Sequence, residues 1–363
     1  MNETSTTSPQ IRVLVVDDSA FMRTALAQMI ASEQGFEVVA TACCGLDALE
    51  KIAALDPDVV TLDVDMPKLG GLETLRFIMS RFPRPVIMVS ASTEKDAEIT
   101  LDALSAGAFD CVPKQMSTVS LDIIHIRSDL IGKLRAAALA RRLRSADTHS
   151  KKPARACAVQ GRHQASLIPS IVALGTSTGG PKALEEILPQ FPSDFSVPLL
   201  IVQHLPFGFS AAFAQRLNKL CAISVCEASH RELALPGVAY IAPAGVHMRV
   251  ERRVSDSRPI ICLDPKPDRI LHIPSVDVLM TAVAENYESR AVGVIMTGMG
   301  SDGAKGMSAI HQHGGLTIGQ DEASCAVYGM PRICAELGIL SYTVPLSDIP
   351  DRILQATHHR KHA

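Results

Sequence analysis

The stretch Ile11-Arg12-Val13-Leu14-Val15-Val16-Asp17-Asp18 begins the pattern that decides the fold, because an apolar run ends here in two acidic residues. Four further apolar runs follow, separated by amphipathic segments, and they cover residues 37–41, 58–62, 85–89 and 108–112. Apolar runs that alternate with helical segments are typical of parallel sheets covered by helices on both faces. The region therefore predicts a five-stranded, doubly wound domain of the flavodoxin-like kind.

A second alternation of strand and helix patterns begins at Ser170. It predicts a Rossmann-like α/β domain whose sheet is mostly parallel, with an antiparallel edge formed by a hairpin around residues 246–263. Small, polar and basic residues dominate the segment between the two alternations and predict a linker. The predicted divisions are a disordered N-terminus (1–10), a first domain (11–143), a linker (144–166), a second domain (167–357) and a tail (358–363).

Composition excludes several classes of protein. The net charge of −3 and the aromatic content of 4%, without Trp, argue against a nucleic-acid partner. The nine Cys include no C-x-x-C pair, which predicts a reduced, cytoplasmic protein with structural thiols and leaves zinc as a weak alternative. The N-terminus is polar and no apolar run reaches 18 residues, so we expect neither a signal peptide nor insertion into a membrane. A monomer is expected.

Polar residues follow the predicted strands of the first domain and form the first candidate site. They are Asp17, Asp18, Asp63, Ser90 and Lys114. The carboxyl ends of parallel strands meet at one edge of the sheet, so three carboxylates gather there and favour Mg²⁺. Asp63 could then attack a phosphoryl donor to give an acyl phosphate. Alternatively, the Asp pair only caps the following helix.

Residues 11–130 resemble a response-regulator receiver domain in three segments: Val15–Ser19, Leu62–Pro67 and Ser105–Ala108. The resemblance implies that Asp63 is the phosphoacceptor and that Ser90 and Lys114 contact the phosphoryl group. It further implies a Mg²⁺ site in which Asp18, Asp63 and the backbone carbonyl of Asp65 are direct ligands and Asp17 acts through water. Gln115 departs from the family pattern, which usually has Pro after the lysine.

Three segments of the second domain contain the other candidate site. Ser177 lies in a Gly-rich turn between a strand and a helix, His204 follows the next strand, and Asp302 follows the strand at 291–296. Together they suit a serine hydrolase in which His204 takes the Ser177 proton and Asp302 orients the imidazole. Two alternatives stay open: a phosphate-binding turn at 175–180, and a helix-capping role for Asp302.

Residues 170–357 resemble the catalytic domain of the CheB family, the chemotaxis protein-glutamate methylesterases. The matching segments are residues 175–180, 202–206, 240–245, 274–277, 296–304 and 320–331. The resemblance implies Ser177 as nucleophile, His204 as general base, Asp302 as its partner and the backbone N–H of Met299 in the oxyanion hole. No cofactor is implied for this domain.

The family resemblance implies hydrolysis of glutamate γ-methyl esters on methyl-accepting chemotaxis receptors, with deamidation of receptor glutamines as a second activity. It also implies a chemotaxis histidine kinase as the phosphodonor and regulation through Asp63. A non-enzymatic module that only binds a receptor or a nucleotide is the alternative. A DNA-binding output domain is disfavoured by the charge and by the lack of a helix-turn-helix pattern.

Overall fold

The structure is a computed structural model, and it describes residues 10–90, 94–114, 120–147, 169–264 and 272–357. The chain divides into two compact units, Met1–Lys152 and Pro153–Ala363. Four predicted features lie wholly or partly outside the described residues: residues 1–9 of the N-terminal segment (1–10), residues 148–166 of the linker (144–166), Gln115, and the tail (358–363). The domain boundaries therefore stay predictions.

The first unit contains one sheet of five parallel strands, in the order β2-β1-β3-β4-β5. The strands are β1 (Ile11–Val16), β2 (Phe36–Ala42), β3 (Val59–Asp63), β4 (Val86–Ser90) and β5 (Asp110–Pro113). The helices are α1 (Ala20–Ala31), α2 (Gly45–Leu55), α3 (Gly71–Arg81), α4 (Glu94–Ser105) and α5 (Ser120–Asp147). This strand order confirms the predicted flavodoxin-like domain.

The central strands of this sheet show why the apolar runs fold as they do. β3 and β4 are buried along their whole length, since helices cover both faces of the sheet. Asp63 and Ser90 are nevertheless the last residues of these two strands. The polar residues that the sequence singles out are thus held at the carboxyl edge by strands that cannot shift without exposing apolar side chains.

The second unit contains a sheet of seven parallel strands, in the order β14-β13-β12-β6-β7-β9-β8. Its strands are β6 (Ile171–Thr176), β7 (Leu199–Gln203), β8 (Ser224–Glu227), β9 (Val238–Ile241), β12 (Ala291–Ile295), β13 (Leu316–Gln320) and β14 (Tyr342–Val344). The antiparallel pair β10 (His247–Arg252) and β11 (Pro259–Asp264) forms a separate two-stranded sheet. The predicted mostly parallel domain with an antiparallel edge is confirmed.

Helices surround this sheet, and apolar side chains fill the space between them. The α-helices are α6 (Gly180–Ile187), α7 (Ser210–Leu220), α8 (Val276–Tyr287), α9 (Ala304–Gln312), α10 (Met330–Glu336) and α11 (Ile349–Thr357). The sequence patterns did not predict β14 or α10, because a strand of three residues and a helix of seven are too short to show a periodicity. In the part of the chain that the structure describes, no helix has the length and apolar character needed to cross a membrane.

The position of β6 determines where a site can form in the second unit. β6 pairs with β7 on one side and with β12 on the other, so the loops after these three strands meet at one edge. The chain reverses its direction of strand addition at β6, and crevices at such a switch point are the usual ligand sites of open α/β sheets.

Candidate functional site

Ser177 lies in the tight turn between β6 and α6. Its N–H donates to the Thr297 carbonyl at 3.0 Å, and its carbonyl accepts from the Gly180 N–H at 2.8 Å. Gly179 has a φ of +79°, and a Cβ there would lie 2.5 Å from the Ala326 Cβ, so the turn needs glycine. Ser177 is therefore held at the N-terminus of α6, where the helix dipole favours negative charge.

His204 follows β7 and contacts both other residues of the candidate triad. Its Nδ1 lies 3.2 Å from the Ser177 Oγ, and its Nε2 lies 2.8 Å from the Asp302 Oδ2. Because a carboxylate only accepts, we assign the imidazole hydrogen to Nε2, which leaves Nδ1 free to accept the Ser177 proton. His272 stacks on the same ring with the two centroids 4.4 Å apart, a contact that sequence patterns did not indicate.

Asp302 is a buried carboxylate with several donors besides His204. The Ser275 hydroxyl and the Asp277 N–H donate to Oδ1 at 2.8 and 3.0 Å, and the Val276 N–H donates to Oδ2 at 2.8 Å. Burial alone would raise the pKa of Asp302, but the hydrogen bond and charge of His204, together with the backbone N–H groups, lower it to about 2. The carboxylate is thus ionised at any ordinary pH.

These contacts decide between the alternatives for Asp302. Gly303 is the N-cap of α9 and no side chain caps that helix, so the Asp302 carboxylate does not serve its own helix. It bonds instead to the first N–H groups of α8 and to His204. Ser275, the N-cap of α8, completes this arrangement, although the sequence analysis assigned no role to it.

The turn Gly298-Met299-Gly300 lies directly beside Ser177. A Cβ on Gly298 would lie 2.8 Å from the Ser177 Cβ and 2.3 Å from the Met330 Sδ. The Gly298 N–H donates to the Val327 carbonyl at 3.0 Å, which ties the turn to the neighbouring loop. The role of the Met299 N–H in an oxyanion hole stays a prediction, and the close approach of the preceding residue, Gly298, to Ser177 supports it.

The first unit brings the predicted acidic residues together. One carboxylate oxygen from each of Asp17, Asp18 and Asp63 lies within 4.8 Å of the others, and Lys114 Nζ lies 2.6 Å from Asp63 Oδ2 and 3.1 Å from Asp17 Oδ2. Among the described residues, no other group of three or more His, Cys, Asp or Glu side chains is close enough to share a metal ion. Three carboxylates face one lysine, so the donor set fits a divalent cation such as Mg²⁺.

Burial controls the electrostatics of Asp63. It raises the pKa of Asp63 to about 6, and the Asp17 charge adds to this effect while Lys114 opposes it. Burial also disfavours the charged form of Lys114, but its contacts with Asp63 and Asp17 together outweigh burial and raise the pKa of Lys114. A bound cation would favour the Asp63 carboxylate over the neutral acid.

The remaining predicted residues of the first unit lie around the same edge. Ser90 is buried and its Oγ accepts from the Thr100 hydroxyl at 2.9 Å. The Asp65 N–H donates to Asp63 Oδ1 at 3.2 Å. Ser19, rather than the Asp pair, caps α1 through its hydroxyl, which accepts from the Met22 N–H. The alternative that the Asp pair only caps this helix is therefore wrong.

Comparisons with known proteins match both units. The family model described as CheB methylesterase matches residues 172–353, and the model described as response regulator receiver domain matches residues 13–124. A protein of Nitratidesulfovibrio vulgaris named protein-glutamate methylesterase/protein-glutamine glutaminase 2 is 44% identical and covers 96% of this chain and 100% of its own length. A protein of Pyrococcus abyssi named protein-glutamate methylesterase/protein-glutamine glutaminase is 41% identical and covers 96% of this chain and 94% of its own length.

One solved structure adds a comparison of the fold. The crystal structure of the Thermotoga maritima CheB methylesterase catalytic domain is 36% identical, with a TM-score of 0.50, and covers 52% of this chain and 99% of its own. Ser177, His204 and Asp302 lie inside the first matched range, and Asp63 and Lys114 lie inside the second. The matches and the two sites thus coincide along the chain.

Proposed function

Because the chain belongs to the CheB methylesterase family and carries a response regulator receiver domain, we propose that Ser177, His204 and Asp302 are the catalytic triad of a phosphorylation-regulated chemotaxis methylesterase. The single observation that carries the proposal is the continuous contact from the Ser177 Oγ through the His204 ring to the Asp302 carboxylate, at 3.2 and 2.8 Å. Nucleophile, base and orienting acid are recognised by such geometry and not by chain order.

The proposed reaction is the hydrolysis of a glutamate γ-methyl ester. Ser177 Oγ attacks the ester carbonyl while His204 Nδ1 takes its proton, and the backbone N–H of Met299 stabilises the oxyanion. His204 then returns the proton to the departing methoxide, so methanol leaves and an acyl-serine remains. Water attacks that acyl group with His204 again as base, which releases the glutamate carboxylate and restores Ser177. Asp302 stays ionised throughout and stabilises the imidazolium.

The same site supports glutamine deamidation. Relatives carry the double name protein-glutamate methylesterase/protein-glutamine glutaminase. A side-chain amide passes through the same acyl-serine, with ammonia leaving in place of methanol. The substrates that we propose are methyl-accepting chemotaxis receptors, whose cytoplasmic parts this enzyme would reach as a monomeric cytoplasmic protein.

We propose Asp63 as the phosphoacceptor that regulates the enzyme, with a chemotaxis histidine kinase as phosphodonor. Asp18, Asp63 and the Asp65 carbonyl would hold Mg²⁺ directly and Asp17 through water, and the bound ion would supply charge neutralisation for phosphoryl transfer. Lys114, whose Nζ lies 2.6 Å from the Asp63 carboxylate, would pair with the added phosphoryl oxygens. The Ser90 hydroxyl, at the end of the adjacent strand, is the second expected phosphoryl contact.

Methanol release from methylated receptor membranes tests the proposed activity. We expect the wild-type chain to release methanol and Ser177→Ala to lose about 10⁴-fold or more in kcat, because loss of a triad nucleophile removes covalent catalysis. Ser301→Ala, in the adjacent loop, is a control for serine substitution as such. Wild-type turnover by Ser177→Ala would exclude this mechanism, and no release by the wild type would favour a binding module.

A further inference from the structure

Gln203 is the last residue of β7 and stands directly before His204, yet its side chain turns into the protein. It is 2% exposed. Its Nε2 donates to the Ser177 carbonyl at 2.9 Å and to the His204 carbonyl at 2.9 Å. One amide group therefore contacts the main chain of both the nucleophile and the base.

The orientation of this amide is fixed by its surroundings. An amide NH₂ has two hydrogens, and each of them here points to a different carbonyl oxygen. In the flipped orientation the amide oxygen would face these two carbonyl oxygens and could donate to neither. Its Oε1 lies against α6, where a Cβ on Gly180 would come within 1.9 Å of it. Gly180 thus leaves the space that the amide fills, at the first residue of the helix that follows Ser177.

The pairing of β6 with β7 brings Ser177 and His204 together, since it runs up to the residues just before them, Thr176 and Gln203. The two residues follow different strands, and the His204 N–H donates to the Thr176 carbonyl at 3.2 Å. The reacting contact itself, between Ser177 Oγ and His204 Nδ1, is also 3.2 Å. A displacement of about 1 Å between reacting groups can cost roughly 10²-fold in rate. The Gln203 amide joins both carbonyls by shorter hydrogen bonds than this contact.

We infer that Gln203 is a positioning residue that holds the Ser177 and His204 main chains at the separation needed for proton transfer. The inference rests on the proposed esterase, because it concerns the same triad. Gln203 is buried and does not act on substrate, so its loss should lower kcat and leave KM unchanged. A residue needed only for folding would instead lower the amount of active enzyme and the melting temperature.

Gln203→Glu tests the inference, because the introduced side chain has the same shape and a different donor inventory. As a carboxylate it donates nothing and faces two carbonyl oxygens, and as a neutral acid it regains one O–H donor. Burial raises the pKa of such a carboxyl. We expect kcat at pH 8.5 to fall roughly 10²-fold. The ratio of variant to wild-type kcat should then rise as the pH is lowered towards 6, because more of the introduced acid becomes neutral. At pH values above the pKa of the introduced group, the rise should be about tenfold for each pH unit of decrease.

Gln203→Leu is the matched control, since it removes the donors without adding a titrating group. Its kcat should fall by a similar factor, and its ratio to the wild type should not change with pH. Asp302 and His272, two titratable side chains that contact His204, are unchanged in each variant.

Gly180→Ala keeps the inference testable if Gln203→Glu does not fold. The added methyl group would lie 1.9 Å from the Gln203 Oε1 and 2.5 Å from the Thr176 Oγ1, so it would displace the amide without changing Gln203 itself, and kcat should again fall while KM holds. Wild-type kcat in Gln203→Leu, or a Gln203→Glu ratio that is flat with pH, would overturn the inference. Either result would leave the triad intact, because the triad is tested separately by Ser177→Ala.

Discussion

At the scale of single residues, the Ser275 hydroxyl helps to hold the Asp302 carboxylate in position. The Ser275 hydroxyl gives one of the two hydrogen bonds at Oδ1, and the Asp277 N–H gives the other. Hydrogen bonds to a charged group contribute about 1.5–3 kcal/mol. For Ser275→Ala we expect kcat to fall between roughly tenfold and 100-fold, because a less firmly held carboxylate orients His204 less well. Steady-state kinetics with methylated receptor membranes measures this fall.

Ser275 also caps α8, so its removal should lower the free energy of unfolding by about 1 kcal/mol. Ser275→Thr keeps the hydroxyl and is the control, and we expect it to restore most of kcat. The folded pKa of Asp302, about 2, lies below the ordinary value of 3.8, so this carboxylate stabilises the fold above pH 4 and stops doing so as pH falls towards 2. An unchanged kcat in Ser275→Ala would show that the backbone donors suffice.

At the scale of elements, the turn between β12 and α9 must pass Ser177 closely. A Cβ at Gly298 would lie 2.8 Å from the Ser177 Cβ and 3.1 Å from its N atom. We predict that Gly298→Ala displaces the nucleophile and lowers kcat by about 10²-fold. Gly300→Ala, two residues along the same turn, is the comparison, since a Cβ there meets nothing within 4 Å.

The cost at Gly300 differs in kind from that at Gly298. Gly300 has a φ of +87°, so alanine there should destabilise the protein by about 1–2 kcal/mol through backbone strain. Thermal denaturation would detect this loss, while kcat should fall less than in Gly298→Ala. A larger loss of kcat in Gly300→Ala than in Gly298→Ala would contradict the steric explanation.

The elements also show what the sequence could and could not predict. Strand ends were predictable because apolar runs stop where polar residues begin, and this placed Ser177, His204 and Asp63 correctly on their elements. Ser275 and Gln203 were missed for a physical reason. Ser275 contacts Asp302 only because α8 packs on α9, and the two residues are 27 positions apart in the sequence. Gln203 looks in the sequence like any polar residue at the end of a strand, and only the structure shows that its side chain points inward.

At the scale of the whole molecule, the proposed phosphorylation site and the proposed esterase site belong to separate compact units. Asp63 lies in Met1–Lys152 and Ser177 in Pro153–Ala363. Phosphorylation of Asp63 can change turnover at Ser177 only if the phosphoryl group interacts with two states of the full chain at different free energies. Coupling free energies between sites are typically about 1–3 kcal/mol, which corresponds to roughly 5–150-fold in an equilibrium.

We therefore predict that acetyl phosphate and Mg²⁺ together raise methanol release by the full chain, by roughly 5–150-fold if phosphorylation is complete. Asp63→Asn should hold release at the level seen without phosphodonor, because an amide cannot form the acyl phosphate. Lys114→Met should weaken the rise, because Lys114 lies 2.6 Å from the Asp63 carboxylate and the substitution would remove its ammonium group from contact with the phosphoryl group. Release that is the same with and without phosphodonor would retain the esterase and refute the coupling. A rise that persists in Asp63→Asn would place the phosphoacceptor elsewhere.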